Sequence, residues 1–198
     1  MKSNRFFTLN FGVIFTSCIV LSIFTLLFSY HATLLFFPQT VNQENTLDYL
    51  NNNQPLLQNY TAAELSHLED VQKVMSLADN IFYVSLVLSL LLIIYGLKRK
   101  LLPKMLLYGG ISIVSVIGLI LILTLISFNS SFTAFHEIFF PQGNWQFPSD
   151  SLLIQTFQLD FFIKIDLTIF IQALMWGICL AFGGRLLRPA LKITSYKN

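Results

Sequence analysis

Residues 61–71, Thr-Ala-Ala-Glu-Leu-Ser-His-Leu-Glu-Asp-Val, gather the groups best suited to chemistry. Glu64, His67 and Asp70 recur at a spacing of three. On a helix this places them along one side. Thr61 and Glu64 form a T-x-x-E capping box, so the helix is predicted to start there. A second histidine, His136, followed by Glu137, lies in a later stretch. An imidazole titrates near pH 6.5 in water, which suits proton transfer near neutrality, and a carboxylate three residues away on a helix can orient it. Two histidines with carboxylates nearby therefore point to general acid–base chemistry. Polar residues wetted at helix ends give the same pattern without chemistry.

Other chemistries leave weaker traces. The sequence has no HExxH, GxSxG, CxxC or Walker pattern, and Ser66, Ser76, Ser130 and Ser131 sit in no recognisable nucleophile turn. Glu64-x-x-His67 with His136 and Glu137 could hold zinc or iron. Di-iron carboxylate bundles use two E-x-x-H repeats, however, and one is present. No metal and no cofactor is expected. Cys18 and Cys179 both fall within apolar runs and read as packing residues, which leaves no disulfide framework.

The elements that must position these residues are membrane helices. Of the 198 residues, 55% are hydrophobic and 11% charged, and the mean hydropathy is +0.66. A soluble domain carries roughly 25% charged residues, so this composition indicates an integral membrane protein. Apolar runs predict four spans, about 6–30, 81–97, 105–128 and 167–184. The first run continues past Cys18 to Phe37, too long for a cleaved signal peptide or a lipoprotein cleavage box. Residues 38–80 and 129–160 are two outer loops, expected to form a small cap of short helices with room for weak strands. The helix from Thr61 is expected to run on into the second span. A short helix is predicted over 130–140, ended by Pro141, and Gln142-Gly143-Asn144 reads as a turn. Residues 152–162 could lie along the interface. Asp160 and Lys164 have a favourable i,i+4 order. His31 and Asp166 read as interfacial. With no internal repeat, residues 1–198 read as one membrane domain.

Charge sets the orientation. Ten of the twelve Lys and Arg residues lie at the N-terminus, in the 98–104 turn or in the C-terminal tail, and all ten Asp and Glu residues lie in the other two loops or at their edges. Both termini are then expected in the cytoplasm and both loops outside. The basic residues sit in short clusters beside apolar spans, where orientation signals belong, so no nucleic-acid partner is expected. Trp145, Tyr60 and the phenylalanines suit headgroup depth. Phe132, Phe135, Phe139, Phe140, Phe161 and Phe162 could wall an apolar pocket opening toward lipid beside both histidines.

Four features together, E-x-x-H-L-x-D-V at Glu64–Val71, F-H-x-I-F-F at Phe135–Phe140, G-N-W-x-F at Gly143–Phe147 and the later Phe161-Phe162, resemble the lipoprotein intramolecular transacylase family, Lit. The likeness extends over the whole chain. It departs at Gln158-Leu159-Asp160, where the family has a proline shortly before the paired phenylalanines. The resemblance implies an acyltransferase of the bacterial cell membrane acting on diacylglyceryl-modified lipoproteins. It would move the sn-2 acyl chain onto the α-amine of the N-terminal cysteine and leave a lyso-form lipoprotein. It implies His67 and His136 as the catalytic pair. The residues themselves add Asp70 and Glu64 as supporting groups, with Asp70 favoured to orient His67 because Glu64 already serves the capping box, and Phe135, Phe139, Phe140 and Trp145 at the substrate pocket. The alternatives are a non-enzymatic membrane sensor or assembly protein with structural or pH-responsive histidines, and a metal-dependent membrane hydrolase.

Overall fold

The computed structural model describes the backbone of residues 2–195 and the side chains of residues 10–188. The side chains of Lys2, Arg5 and Lys192 and the whole of Lys197, which enter the charge argument, lie outside the described set. Among the described residues there are seven helices and no strand: α1 Lys2–Phe36, α2 Val41–Leu50, α3 Ala62–Lys98, α4 Leu102–Ile126, α5 Phe128–Phe139, α6 Leu152–Thr156 and α7 Leu159–Ser195. Four of them, α1, α3, α4 and α7, are long and apolar enough to cross a membrane. The chain is an all-α, multi-pass membrane protein.

Local signals explain most boundaries. Thr61 caps α3 as its box predicts: its backbone N–H donates to Glu64 Oε2 at 2.8 Å, and its hydroxyl accepts from the Glu64 N–H at 3.3 Å. α3 then runs unbroken to Lys98. The weak strands allowed for residues 38–60 are absent, because this stretch forms α2. A second capping box starts it, with Thr40 as N-cap and Gln43 closing back onto the cap backbone. The last long helix begins at Leu159, well before the apolar run at 167. Asp160 and Lys164 share a face of its first turns and form an ion pair there. Residues 152–162 are divided between α6 and the start of α7.

The chain forms two compact units. One comprises Met1–Ala32, Phe82–Leu121 and Ile169–Asn198. Its core is Leu21, Ile113, Ile117 and Ala173. Ser22 donates across to Ser112 at 3.2 Å. At Gly110 a Cβ would lie 2.4 Å from the Ala181 nitrogen and 2.5 Å from the Gly177 oxygen, so α4 and α7 meet backbone to backbone. Small residues permit such approach in a membrane, where packing replaces the hydrophobic effect. Only 11% of the apolar stretch of α3 is buried within the protein. Val87, Leu91 and Ile94 are left to face lipid.

The other unit comprises Thr33–Ile81 and Ile122–Thr168 and holds both candidate histidines. Leu50, Tyr60, Leu68, Leu153 and Phe157 form its core. The Tyr60 hydroxyl lies 2.9 Å from the Thr46 hydroxyl and donates to Thr156 Oγ1 at 3.4 Å, joining α2 to α6 through a buried polar link.

The contact at Gly110 generates a test. Gly110→Ala should destabilise the protein by about 1–3 kcal/mol, because backbone must move. Gly118→Ala, whose Cβ would meet Leu174 at an ordinary 3.9 Å, should stay within about 0.5 kcal/mol of wild type. Thermal unfolding in detergent compares the two.

Candidate active site

His67 sits in the second turn of α3, before the apolar portion of that helix begins at Ile81. His136 sits in the last turn of α5. Both are buried, at 7% and 8% exposure. Their ring centroids are 6.2 Å apart and the planes are inclined by only 28°. Two imidazoles from helices distant in sequence thus face each other across a gap that one small reacting group can bridge.

Aromatic rings enclose the pair. Phe132 and Trp145 flank His136 at 4.0 and 4.9 Å, and Phe140 lies 5.4 Å from it. Phe140 also packs edge-on against His67 at 4.8 Å, and Phe147 adds a wall at 5.7 Å. The helical period accounts for the α5 contribution. Phe132, His136 and the capping Phe140 recur every fourth residue and share one face. Phe135, Ile138 and Phe139 are exposed. Phe135 still reaches His136 edge-on at 5.5 Å, whereas Phe139 stacks on Phe135. Glu137 is exposed. His31 belongs to the other unit, with its ring against Phe82.

Enclosure sets the electrostatics. Burial drives the His67 imidazolium down to a pKa of about 4, with the nearby His136 acting in the same direction and Asp70 and Asn144 opposing. Burial also lowers His136, against a raising hydrogen bond to the Phe132 carbonyl. Both rings are therefore neutral at physiological pH. That bond also fixes the His136 tautomer. A carbonyl accepts only, so Nδ1, 2.8 Å from the Phe132 oxygen, carries the proton and Nε2 carries the lone pair.

The two carboxylates expected to support His67 are placed differently. Glu64 is 2% exposed. Its Oε2 accepts from the Thr61 N–H and hydroxyl, both at 2.8 Å, and its Oε1 accepts from the Leu153 N–H at 2.8 Å. It caps α3 and ties α6 to it. Desolvation would raise its pKa, but bonds from Leu153, Thr61 and Leu152 outweigh this and hold it below the usual value. Asp70 makes its hydrogen bonds to groups other than the ring. Lys73 donates to Oδ1 at 2.8 Å, and Gln142 and Asn144 donate to Oδ2 at 2.7 and 2.8 Å. Asp70 thus grips the turn that carries Trp145 onto His136. Gly143, at φ +78°, supplies the left-handed residue this turn needs. Phe147 and Asn144, which belong to the G-N-W-x-F motif, and Gln142 of the predicted turn are site neighbours to which the sequence reading assigned no role. The pairing of a turn amide with an aspartate more than seventy residues away leaves no local signal.

The Glu64 network should respond sharply to substitution. Glu64→Gln keeps one accepting oxygen and turns an NH2 toward donors. Loss of charge-assisted bonds at a buried site should cost about 2–3 kcal/mol, against about 1 kcal/mol for Thr61→Ala. Chemical or thermal unfolding in detergent at pH 7 checks the order.

Known proteins resemble this chain in sequence and in fold. The family model described as lipoprotein intramolecular transacylase Lit matches residues 5–162. An uncharacterized protein of Aquifex aeolicus (strain VF5) is 26% identical over 133 residues, which is 67% of this chain; the match spans only 60% of that relative's length. Two solved structures of the membrane-integral transacylase Lit from Bacillus cereus share the fold. One has a TM-score of 0.74 at 19% identity, covering 94% of this chain and 99% of the other. A variant with a histidine-to-alanine mutation has a TM-score of 0.76 at 16% identity, covering 98% and 100%. The structural likeness establishes the fold, and the sequence match over most of the length establishes the kinship: the chain belongs to the lipoprotein intramolecular transacylase family, Lit.

Proposed function

We propose that this protein moves the sn-2 acyl chain of a diacylglyceryl-modified bacterial lipoprotein onto the α-amine of the lipoprotein's N-terminal cysteine. The observation that carries this reading is the facing pair of buried, neutral imidazoles, 6.2 Å apart inside an aromatic enclosure, in a chain of the Lit family. Family membership supports the substrate class; the site supports the chemistry.

The reaction needs an amine to lose a proton and an alkoxide to gain one. The cysteine nitrogen attacks the sn-2 ester carbonyl and forms the C–N bond. His136 Nε2, whose lone pair is free by the tautomer argument above, takes the N–H proton. The bond from the carbonyl carbon to the sn-2 oxygen then breaks, and the His136 imidazolium returns the same proton to that oxygen. The products are an amide and a glycerol hydroxyl, with nothing added or lost. His67, neutral beside it, holds the amine in place. Nucleophile and ester belong to one molecule, and well-oriented reactions of that kind reach effective molarities of about 10⁵–10⁸ M. An enzyme nucleophile is unnecessary, in accord with the sequence's lack of a serine or cysteine motif. Exclusion of water by the rings would suppress hydrolysis of the same ester.

The pair is placed on the outer face of the cell membrane, with residues 38–80 and 129–160 outside and both termini cytoplasmic. The charge asymmetry supports this orientation. Acyl chains would reach the pair from the lipid side along Phe135 and Phe139, which are 47% and 41% exposed beside it. Such a path spares any charged group from the hydrocarbon.

His136→Ala should lower the formation of lyso-form lipoprotein by about 10²–10⁴-fold while the protein still inserts. His67→Ala should do the same, and the double variant should be little worse than either single one, because the two act as a unit. Mass spectrometry of lipoprotein N-termini reads the product; normal activity of either variant would remove that residue from the mechanism. Cysteine labelling in intact cells tests the topology: Asn52→Cys should react with an impermeant reagent and Lys100→Cys should not.

A further inference from the structure

We propose that Asn144 is a positioning residue: its Oδ1 accepts the Nδ1–H of His67, while Asp70 holds the amide in that orientation. This deepens the histidine-pair reading and rests on it for its catalytic meaning.

The orientation of the amide follows from its partners. A carboxylate only accepts, so the Asn144 group 2.8 Å from Asp70 Oδ2 must be its NH2. Gln142 Nε2, which also donates to Asp70, lies 3.1 Å from Asn144 Oδ1 and confirms the assignment. The oxygen accepts from Gln142 and keeps a second lone pair for another donor. His67 offers what an oxygen requires. Its Nδ1 is buried and has no hydrogen-bond partner of good geometry. A buried N–H left so carries the desolvation penalty without the bond that would offset it. The rings around His67 are those of Phe140, Phe147 and His136. Asp70 lies one turn along α3 from His67, so its bond to Asn144 brings that amide to the same side of the helix, and Asn144 acts to raise the His67 pKa, as an accepting oxygen beside the ring does. In structures without substrate such bonds are often long, and they tighten when substrate binds.

The consequence is a shared tautomer. His136 keeps its proton on Nδ1 through the Phe132 carbonyl. With Asn144 accepting from His67 Nδ1, both rings present an unprotonated Nε2. A neutral primary amine has two N–H bonds, so two acceptors can orient it and one can take its proton. Asp70 would then act on His67 through Asn144 and not by direct contact.

The chain has three histidines, so ¹⁵N-histidine NMR of the full-length protein in detergent resolves each ring, with His67→Gln assigning its signals. Wild type should show His67 as a single Nδ1–H tautomer, and Asn144→Ala should bring in the Nε2–H form. In the transacylation assay with a diacylglyceryl lipopeptide, Asn144→Ala should lower kcat by about 10–100-fold, a range typical of residues that orient an imidazole ligand, and leave KM within about threefold. Gln142→Ala removes the turn's other bond to Asp70, and its bond to Asn144 Oδ1, while leaving the Asn144–Asp70 bond in place, and serves as the control. If Asn144 only fastens the turn, both variants lose activity alike. If it sets the tautomer, Gln142→Ala keeps kcat within about threefold. An unchanged His67 tautomer in Asn144→Ala, or equal losses in the two variants, would overturn the proposal. An inactive wild type showing the tautomer change would instead overturn the transacylase reading and leave the Asn144–His67 bond standing.

Discussion

The unit that holds both histidines depends on one buried carboxylate. Glu64 is almost fully enclosed, yet it stays ionised because three groups donate to it: the Thr61 amide and hydroxyl and the amide of Leu153. An unpaired charge at that depth would cost several kcal/mol; here hydrogen bonds to the charged form offset the desolvation. The same bonds do two jobs of assembly. They terminate the backbone at the start of α3, and they dock α6 against it. Leu153 and Phe157 then reach the core formed with Leu50, Tyr60 and Leu68. Since His67 is three residues beyond Glu64, whatever fixes that first turn also fixes the imidazole.

Aspartate and glutamate on this helix have thus been given opposite tasks by their surroundings. Glu64 points into the unit and works as a structural anchor. Asp70 is more open and spends its oxygens on Lys73 and on the amides of the 142–144 turn. Its oxygens hold that turn, which presents Trp145 toward His136. An exposed ion pair such as Lys73–Asp70 contributes little stability. The amide bonds to Asp70 matter more, since they determine where the turn and the Trp145 that follows it come to rest.

Much of this was legible in the sequence because it is local. The Thr61–Glu64 box, the continuity of α3, the helix around His136 and the Asp160–Lys164 pair all follow from spacings of three and four. α2 was locally signalled too, by Thr40 and Gln43, but asparagines and prolines in the surrounding stretch obscured it. The start of α7 was hidden for a different reason. Hydropathy marks where a helix becomes apolar, and Leu159 precedes that point by several residues. The aromatic enclosure was partly visible as a list of phenylalanines, without any indication that Phe140 would turn inward while Phe139 stayed exposed; one residue changes face on a helix. The contact of Asp70 with Gln142 and Asn144 had no signal at all, because tertiary packing alone brings the two segments together.

Neutrality is the final constraint linking structure to chemistry. A catalyst for acyl transfer to an amine must accept a proton, so its imidazole has to remain the free base, and it must avoid competing hydrolysis. Aromatic burial meets both needs with the same residues. Phe132, Phe140, Phe147 and Trp145 lower the cost of the neutral rings relative to the charged ones, and they leave little room for water. The neighbouring charge of one imidazolium further disfavours a second, which opposes the uptake of two protons at once. One proton is also what the proposed reaction moves, from amine nitrogen to glycerol oxygen. A site built of ordinary, solvated histidines would share none of these properties, even with the same two residues at the same separation.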